Sequence, residues 1–113
     1  MDIKAPLNEK YDDLAGIPVQ LDDIKRSIEI LEASGLDHEY RTTLTPILLK
    51  EADIEAIAAY IGGAKKYALQ QFRPQNTLDP HLENAKPMSK AQVKAIAENA
   101  KQYVRKVVLR GDV

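Results

Sequence analysis

The sequence has neither cysteine nor tryptophan among its 113 residues. Without cysteine, disulfide bonds, thiolate metal sites and an iron–sulfur cluster held by the chain's own cysteines are all excluded. Neither positive nor negative residues are in clear excess, since the formal net charge is −1. We therefore expect no electrostatic recruitment of nucleic acid or of an anionic membrane. No apolar run is long enough to span a bilayer and no signal peptide follows Met1, which predicts a cytoplasmic protein without membrane partners.

The overall composition is ordinary for a globular protein, with 44% hydrophobic and 29% charged residues. The length suits one domain with a modest core. No low-complexity tract or linker-like segment divides the chain, so we predict that residues 1–113 form a single domain. The two histidines, His38 and His81, do not have the spacing of metal ligands, and we predict no metal site.

Three stretches have the apolar periodicity of an amphipathic helix. Residues 21–34 carry one apolar stripe, and Gly35 is placed to end this helix in the left-handed conformation. Residues 50–61 form a second helix that stops at a pair of glycines. The third helix begins after Ser89, which forms a capping box with Gln92.

Four stretches have the pattern of β-strands. They are the opening MDIKAPL (residues 1–7), HEYRTTL (38–44), KYALQQF (66–72) and VRKVVLR (104–110). Strands and helices alternate, which predicts parallel strands joined by right-handed crossovers. The fold class is therefore α/β, either a small open sheet or an arc of a β/α barrel. A long loop over residues 73–88 and a short helix within residues 9–15 complete the prediction.

Polar side chains gather at the carboxyl ends of the predicted strands. Asp2 and Lys4 share one face of the first strand, Arg41 lies on the second, and Gln71 and Arg73 lie at the end of the third. Both α/β architectures build their sites at this edge of the sheet. The sequence therefore indicates a candidate site there.

These residues also have plain structural explanations. Asp2 and Lys4 could form only a strand-end ion pair, a contact that is common and contributes little at a surface. Arg41 could pair with Glu39 or with Asp37. Both explanations stay open on the sequence alone.

The ordered segments DIKAPL, LAGIP, YRTTLTP, LQQFRP and KPMS resemble the carboxyl-terminal half of the radical S-adenosylmethionine activating enzymes. The activating proteins of anaerobic ribonucleoside-triphosphate reductase are the most similar branch, and the pyruvate formate-lyase activating enzymes are more distant. The resemblance covers nearly the whole chain. It implies a partial (β/α)6 barrel, of which this chain supplies an arc of four parallel strands and three main helices.

The resemblance also implies roles for four residues. Asp2 and Lys4 correspond to the Asp-x-Lys strand end that helps to bind the methionine part of S-adenosylmethionine, and Arg41 corresponds to an arginine near the same ligand. Arg73 stands where pyruvate formate-lyase activators have a histidine, a departure from the family pattern. It would hydrogen-bond the ligand or face the partner enzyme. No catalytic residue is expected in this chain.

The family's chemistry needs a Cys-x-x-x-Cys-x-x-Cys loop that holds a 4Fe-4S cluster. The cluster reduces S-adenosylmethionine, and the resulting radical takes a hydrogen atom from a glycine of a partner glycyl-radical enzyme. This sequence lacks those cysteines and the family's Gly-Gly-Glu segment. We therefore expect a carboxyl-terminal fragment that is inactive alone and holds neither cofactor by itself. We also expect it to form a homo-oligomer that buries its open sheet face or pairs its open edges. Two alternatives remain: a cluster-free module that docks a partner protein or weakly binds an anionic or nucleoside ligand, and a plain α/β domain.

Overall fold

A computed structural model describes residues 1–8, 20–46, 48–73 and 86–111. Within these residues three helices alternate with three strands, which confirms the α/β class. The elements in order are α1 (Leu21–Ser34), β1 (Tyr40–Leu44), α2 (Glu51–Tyr60), β2 (Tyr67–Gln71), α3 (Lys90–Ala100) and β3 (Val107–Arg110). The short helix predicted within residues 9–15, most of the loop predicted over 73–88 and the last two residues lie outside the described residues.

Local signals in the sequence mark the end of α1 and the start of α3. α1 has the predicted bounds, and Gly35 follows it with a φ of 71° in the left-handed region. α3 has the predicted capping box, in which the Gln92 backbone N–H donates to Ser89 Oγ at 3.1 Å and the Ser89 N–H donates to Gln92 Oε1 at 2.9 Å. None of the helices in the described ranges is long and apolar enough to cross a membrane.

The strands form one parallel sheet whose spatial order, β1-β2-β3, follows their order in the chain. Tyr40 of β1 is in register with Tyr67 of β2, which in turn is in register with Val107 of β3. A helix lies in the chain between each pair of neighbouring strands. β1 and β2 are therefore each followed by a helical crossover to the strand beside it, as the alternation predicts.

The opening segment lies parallel to β1 but does not form the predicted fourth strand. Its backbone makes two bonds to Arg41, from Ile3 N–H to the Arg41 carbonyl at 2.7 Å and from Arg41 N–H to the Met1 carbonyl at 2.9 Å. These two bonds form a single isolated parallel bridge between Asp2 and Arg41. A continuing ladder would use the Ile3 carbonyl, which instead accepts from the Thr42 hydroxyl at 2.7 Å. Pro6 has no N–H to extend the pairing.

The last strand is shorter than the predicted 104–110. After α3 the chain continues in turns, with the N–H groups of Tyr103 and Val104 both bonded to the Ala100 carbonyl at 3.0 and 3.3 Å. Val104 is buried in the core from this turn. Valine is β-branched and therefore favours strands, but here packing in the core determines the conformation of Val104. β3 therefore begins only at Val107.

The two sides of the sheet differ in character. On one side, Tyr40 and Leu44 of β1 and Tyr67 and Leu69 of β2 belong to one hydrophobic cluster with residues of all three helices. On the other side the strands carry mostly polar side chains, as the alternating burial of β1 shows. We call this second side the polar face. Its polar residues are Asp2, Lys4, Glu39, Arg41, Thr43, Gln70 and Arg110.

Candidate functional site

Three of the four predicted site residues meet on the polar face. The bridge between the opening segment and β1 places Asp2 directly beside Arg41. Lys4 Nζ lies 3.1 Å from Asp2 Oδ2, and these two side chains are 51% and 37% exposed. The strand-end ion pair is therefore present, and it lies next to a third charged group. At this exposure the pair contributes no more than about 1 kcal/mol to stability.

Arg41 is the second exposed cation of this group, beside Lys4. Its backbone N–H and carbonyl are used by Met1 and Ile3, so the pairing of the opening segment fixes the position of the residue. Its guanidinium makes no hydrogen bond or ion pair with another described residue, and so pairs with neither Glu39 nor Asp37. The structure therefore does not show the plain ion pair that could have explained Arg41.

Glu39 pairs instead with Arg110 at the far end of β3. Arg110 Nη2 donates to Glu39 Oε1 at 2.9 Å, and Nη1 donates to Oε2, so the contact is bidentate. These bonds lower the pKa of the Glu39 carboxyl below its usual range. The pair joins the start of β1 to the end of β3, across the intervening β2. Sequence reasoning missed this contact, because only the register of the three strands shows that the two residues share a face.

Arg73 lies apart from the other predicted site residues. It is exposed two residues beyond the end of β2, and no hydrogen bond or ion pair joins it to another described residue. The structure therefore does not bring Arg73 into contact with Asp2, Lys4 or Arg41.

Gln71 proves to be a structural residue. It is only 6% exposed, and its amide is used at both ends: Nε2 donates to the Met88 carbonyl at 3.1 Å and Oε1 accepts from the Phe72 N–H at 3.1 Å. A buried glutamine needs such partners. The neighbouring Gln70 donates from Nε2 to the Gln71 carbonyl at 3.3 Å. The Gln71 amide therefore fastens the end of β2 to the segment that precedes α3.

A groove lies elsewhere, between the starts of α2 and α3. Lys50, Lys86, Met88, Gln92 and Ile96 are among the residues that line it. None of the four predicted site residues does. This groove is therefore separate from the predicted site residues.

No group of three or more His, Asp or Glu side chains within the described ranges could hold a metal ion. With no cysteine in the sequence, a thiolate-bound cluster does not fit this chain.

The charged groups of the polar face suit an organic ligand that carries both a carboxylate and an amine.

Comparison with known proteins gives one informative similarity. No family model matches the chain and no solved structure matches it. A protein of Methanocaldococcus jannaschii that is provisionally named a glycyl-radical enzyme activating enzyme is 30% identical over 87 residues. The alignment covers 77% of this chain but only 36% of that relative. The chain is therefore similar to a little over a third of that relative.

Proposed function

We propose that this chain is the carboxyl-terminal part of a radical S-adenosylmethionine enzyme that activates a glycyl-radical enzyme, of the type that acts on anaerobic ribonucleoside-triphosphate reductase. Two findings support the proposal: the similarity to the archaeal relative, of which the alignment covers 36%, and a parallel sheet whose strand order follows the chain. An arc of a β/α barrel has that order. Residues 1–113 would form one structural unit of the whole enzyme.

The observation that carries the proposal is the grouping of Asp2, Lys4 and Arg41 on the polar face, with the Arg41 guanidinium unpaired among the described residues. An arginine fork binds a carboxylate through two parallel hydrogen bonds. The Asp2 carboxylate can accept from an ammonium group. The methionine part of S-adenosylmethionine offers both groups, so these residues suit it.

This chain could therefore contribute residues that bind S-adenosylmethionine, but none that hold the 4Fe-4S cluster. A 4Fe-4S cluster would have to be held by cysteines that this sequence does not contain, and we assign no step of the cleavage reaction to its residues. S-adenosylmethionine, once bound, supplies the radical that the family uses. The residues of the polar face would bind and orient its methionine part, and Arg73 would contact the ligand or the partner enzyme.

The experiment is to co-express the chain with the coding region that precedes Met1, reconstitute the product with iron and sulfide without oxygen, and measure formation of 5′-deoxyadenosine. Loss of a charge-assisted hydrogen bond costs about 1.5–3 kcal/mol, so Arg41→Gln should raise the KM for S-adenosylmethionine about tenfold or more. Arg26→Gln, an exposed arginine on α1, is the matched control and should leave the KM unchanged. An Arg41→Gln variant with the control's KM would exclude Arg41 from the site.

A second function, a cluster-free binding module, is favoured by one feature: Arg41 is exposed and unpaired within the described part of the chain itself. A titration of the 113-residue chain with S-adenosylmethionine, and separately with inorganic phosphate, followed by NMR, distinguishes the two. Saturable shifts at Arg41 with either probe favour the module. The fragment proposal predicts that the chain alone shows none.

A further inference from the structure

Glu39 has two candidate partners on the polar face. Glu39 and Arg41 are two residues apart on an extended chain, so their side chains point to the same side of the sheet and are close enough to pair. Arg110 lies on β3, two strands away, with β2 in between. The structure nevertheless places both oxygens of the Glu39 carboxylate on Arg110 and leaves Arg41 without an ionic partner among the described residues.

The geometry explains the choice of partner. The planar guanidinium of Arg110 meets Glu39 with two nitrogens, and a bidentate contact is stronger and more directional than a single ion pair. Both carboxylate oxygens are then engaged in charge-assisted bonds. The pair is only partly exposed, with 40% of the Arg110 and 30% of the Glu39 side chain accessible. Solvent therefore screens it less than a fully exposed pair.

Arg110 is held in place by its strand. Its backbone is in register with Gln70 of β2. The next residue, Gly111, has a φ of 87°, and a Cβ added there would lie 2.9 Å from Gln70 Nε2 and 3.1 Å from Gln71 Cβ. The end of β3 thus fits closely against the end of β2, and the positive φ after Arg110 favours glycine. The start of the Arg110 side chain is fixed by the sheet.

We propose that Arg110 is a positioning residue for Arg41: by binding the Glu39 carboxylate across the sheet, it prevents Glu39 from neutralising Arg41 and keeps that guanidinium available to a carboxylate of the ligand. This inference rests on the proposed function, in which Arg41 binds the methionine part of S-adenosylmethionine. Without the Arg110 charge, the released Glu39 turns to Arg41, two residues away on the same strand.

Other cations near Glu39 decide how the test is built. The ammonium group of Lys66 and the amino terminus both act on the Glu39 carboxylate, and the amino terminus already donates to the Glu39 backbone carbonyl at 2.7 Å. If Glu39 turned to one of these groups, loss of Arg110 would leave Arg41 as it was. The experiment must therefore observe Arg41 directly.

The first measurement uses the 113-residue chain and the NMR signal of the Arg41 side-chain Nε–H. In Arg110→Gln this signal should shift and its exchange with water should slow, because Glu39 now pairs with Arg41. In the double variant Arg110→Gln/Glu39→Gln it should return to the wild-type position. An Arg41 signal that is the same in the wild type and in Arg110→Gln overturns the inference, whatever S-adenosylmethionine does.

The second measurement is the KM for S-adenosylmethionine in the assembled enzyme. Arg110→Gln should raise the KM about five- to tenfold, whereas Glu39→Gln and the double variant should stay within about twofold of the wild type. Arg110→Lys, which keeps the charge, should recover part of the loss. A double variant as weak as Arg110→Gln means that Arg110 has only a structural role. An Arg41→Gln variant with normal KM refutes the proposed function, and the NMR measurement still decides the pairing of Glu39.

Discussion

The Tyr67 hydroxyl donates a hydrogen bond of 2.6 Å to Thr42 Oγ1 in the buried side of the sheet. Thr42 in turn donates to the Ile3 carbonyl at 2.7 Å, and all three residues are at most 1% exposed. Burial raises the pKa of Tyr67, so the phenol keeps the proton that it donates. The two bonds link β2, β1 and the opening segment. They therefore hold the segment that carries Asp2 and Lys4.

We expect the Thr42 hydroxyl, which takes part in both bonds, to contribute most to the free energy of unfolding. Thr42→Val leaves the Tyr67 hydroxyl without its acceptor and the Ile3 carbonyl without its donor, which should cost about 1–3 kcal/mol in the free energy of unfolding. Tyr67→Phe removes only one bond and should cost about 0.5–1.5 kcal/mol. Urea unfolding measures both. Thr43→Val, on the polar face, is the control, and a Thr42→Val loss no larger than that of the control would contradict this account.

His38 links the end of α1 to the start of β1. Its Nε2 lies 3.1 Å from Glu32 Oε1 and its Nδ1 lies 2.8 Å from the Leu36 carbonyl, while the Tyr40 hydroxyl donates to the same Glu32 oxygen at 2.6 Å. Both ring nitrogens therefore face acceptors, which suits the protonated ring. The bond to Glu32 and then the bond to Leu36 raise the pKa of His38 above its ordinary 6.5.

The contacts of His38 make the free energy of unfolding depend on pH in a predictable direction. Because the pKa of His38 is higher in the folded state, its contribution is fully present below pH 6.5 and is lost as the pH rises through the folded-state pKa. The unfolding free energies of the wild type and His38→Gln should therefore converge as the pH is raised from about 5.5 to about 9. His81→Gln controls for the other histidine. A difference that stays constant with pH would contradict the assignment.

Arg73 should not contribute to the stability of the fold. It is exposed and has no bond to another described residue, so Arg73→Ala should change the free energy of unfolding by less than about 0.5 kcal/mol and leave the Tm nearly unchanged. Gln71→Ala, two residues earlier, should lower the Tm clearly, because it removes two bonds of a buried amide. Thermal unfolding followed by circular dichroism compares them. A loss of several degrees in Arg73→Ala would mean that Arg73 is structural.

The chain should associate with itself through β3. Among the described strands, β3 pairs only with β2, and Leu109 on it is 40% exposed. An unpaired edge with an exposed apolar side chain favours association. Light scattering at high protein concentration should detect a dimer or a larger species, and Leu109→Lys should shift it toward the monomer. A wild type that stays strictly monomeric would refute this prediction.

The helices could be predicted closely because their signals are local. Asp22 and Asp23 in the first turn, Gly35 after the end and the capping box at Ser89 depend on neighbours a few residues away. The strands were predicted less well. Val104 has the side chain of a strand residue but lies in the turn after α3, because its place in the core is set by tertiary contacts.

The candidate site could be predicted only in part. Alternation along a strand is enough to place Asp2 and Lys4 on one face, and the parallel arrangement brings Arg41 beside them. The contact between Glu39 and Arg110 depends on the register of three strands, which no local pattern in the sequence gives. This contact leaves Arg41 without an ionic partner among the described residues, and that feature carries the proposed function.

The most direct test of the account is the sequence of the native genomic DNA immediately upstream of the Met1 codon. If the chain is the carboxyl-terminal part of a radical S-adenosylmethionine activating enzyme, this DNA should encode, in the same reading frame, a Cys-x-x-x-Cys-x-x-Cys motif. A stop codon followed by a ribosome-binding site just before Met1, with no such motif in frame, would contradict the central claim. The cluster-free binding module would then be the function to test.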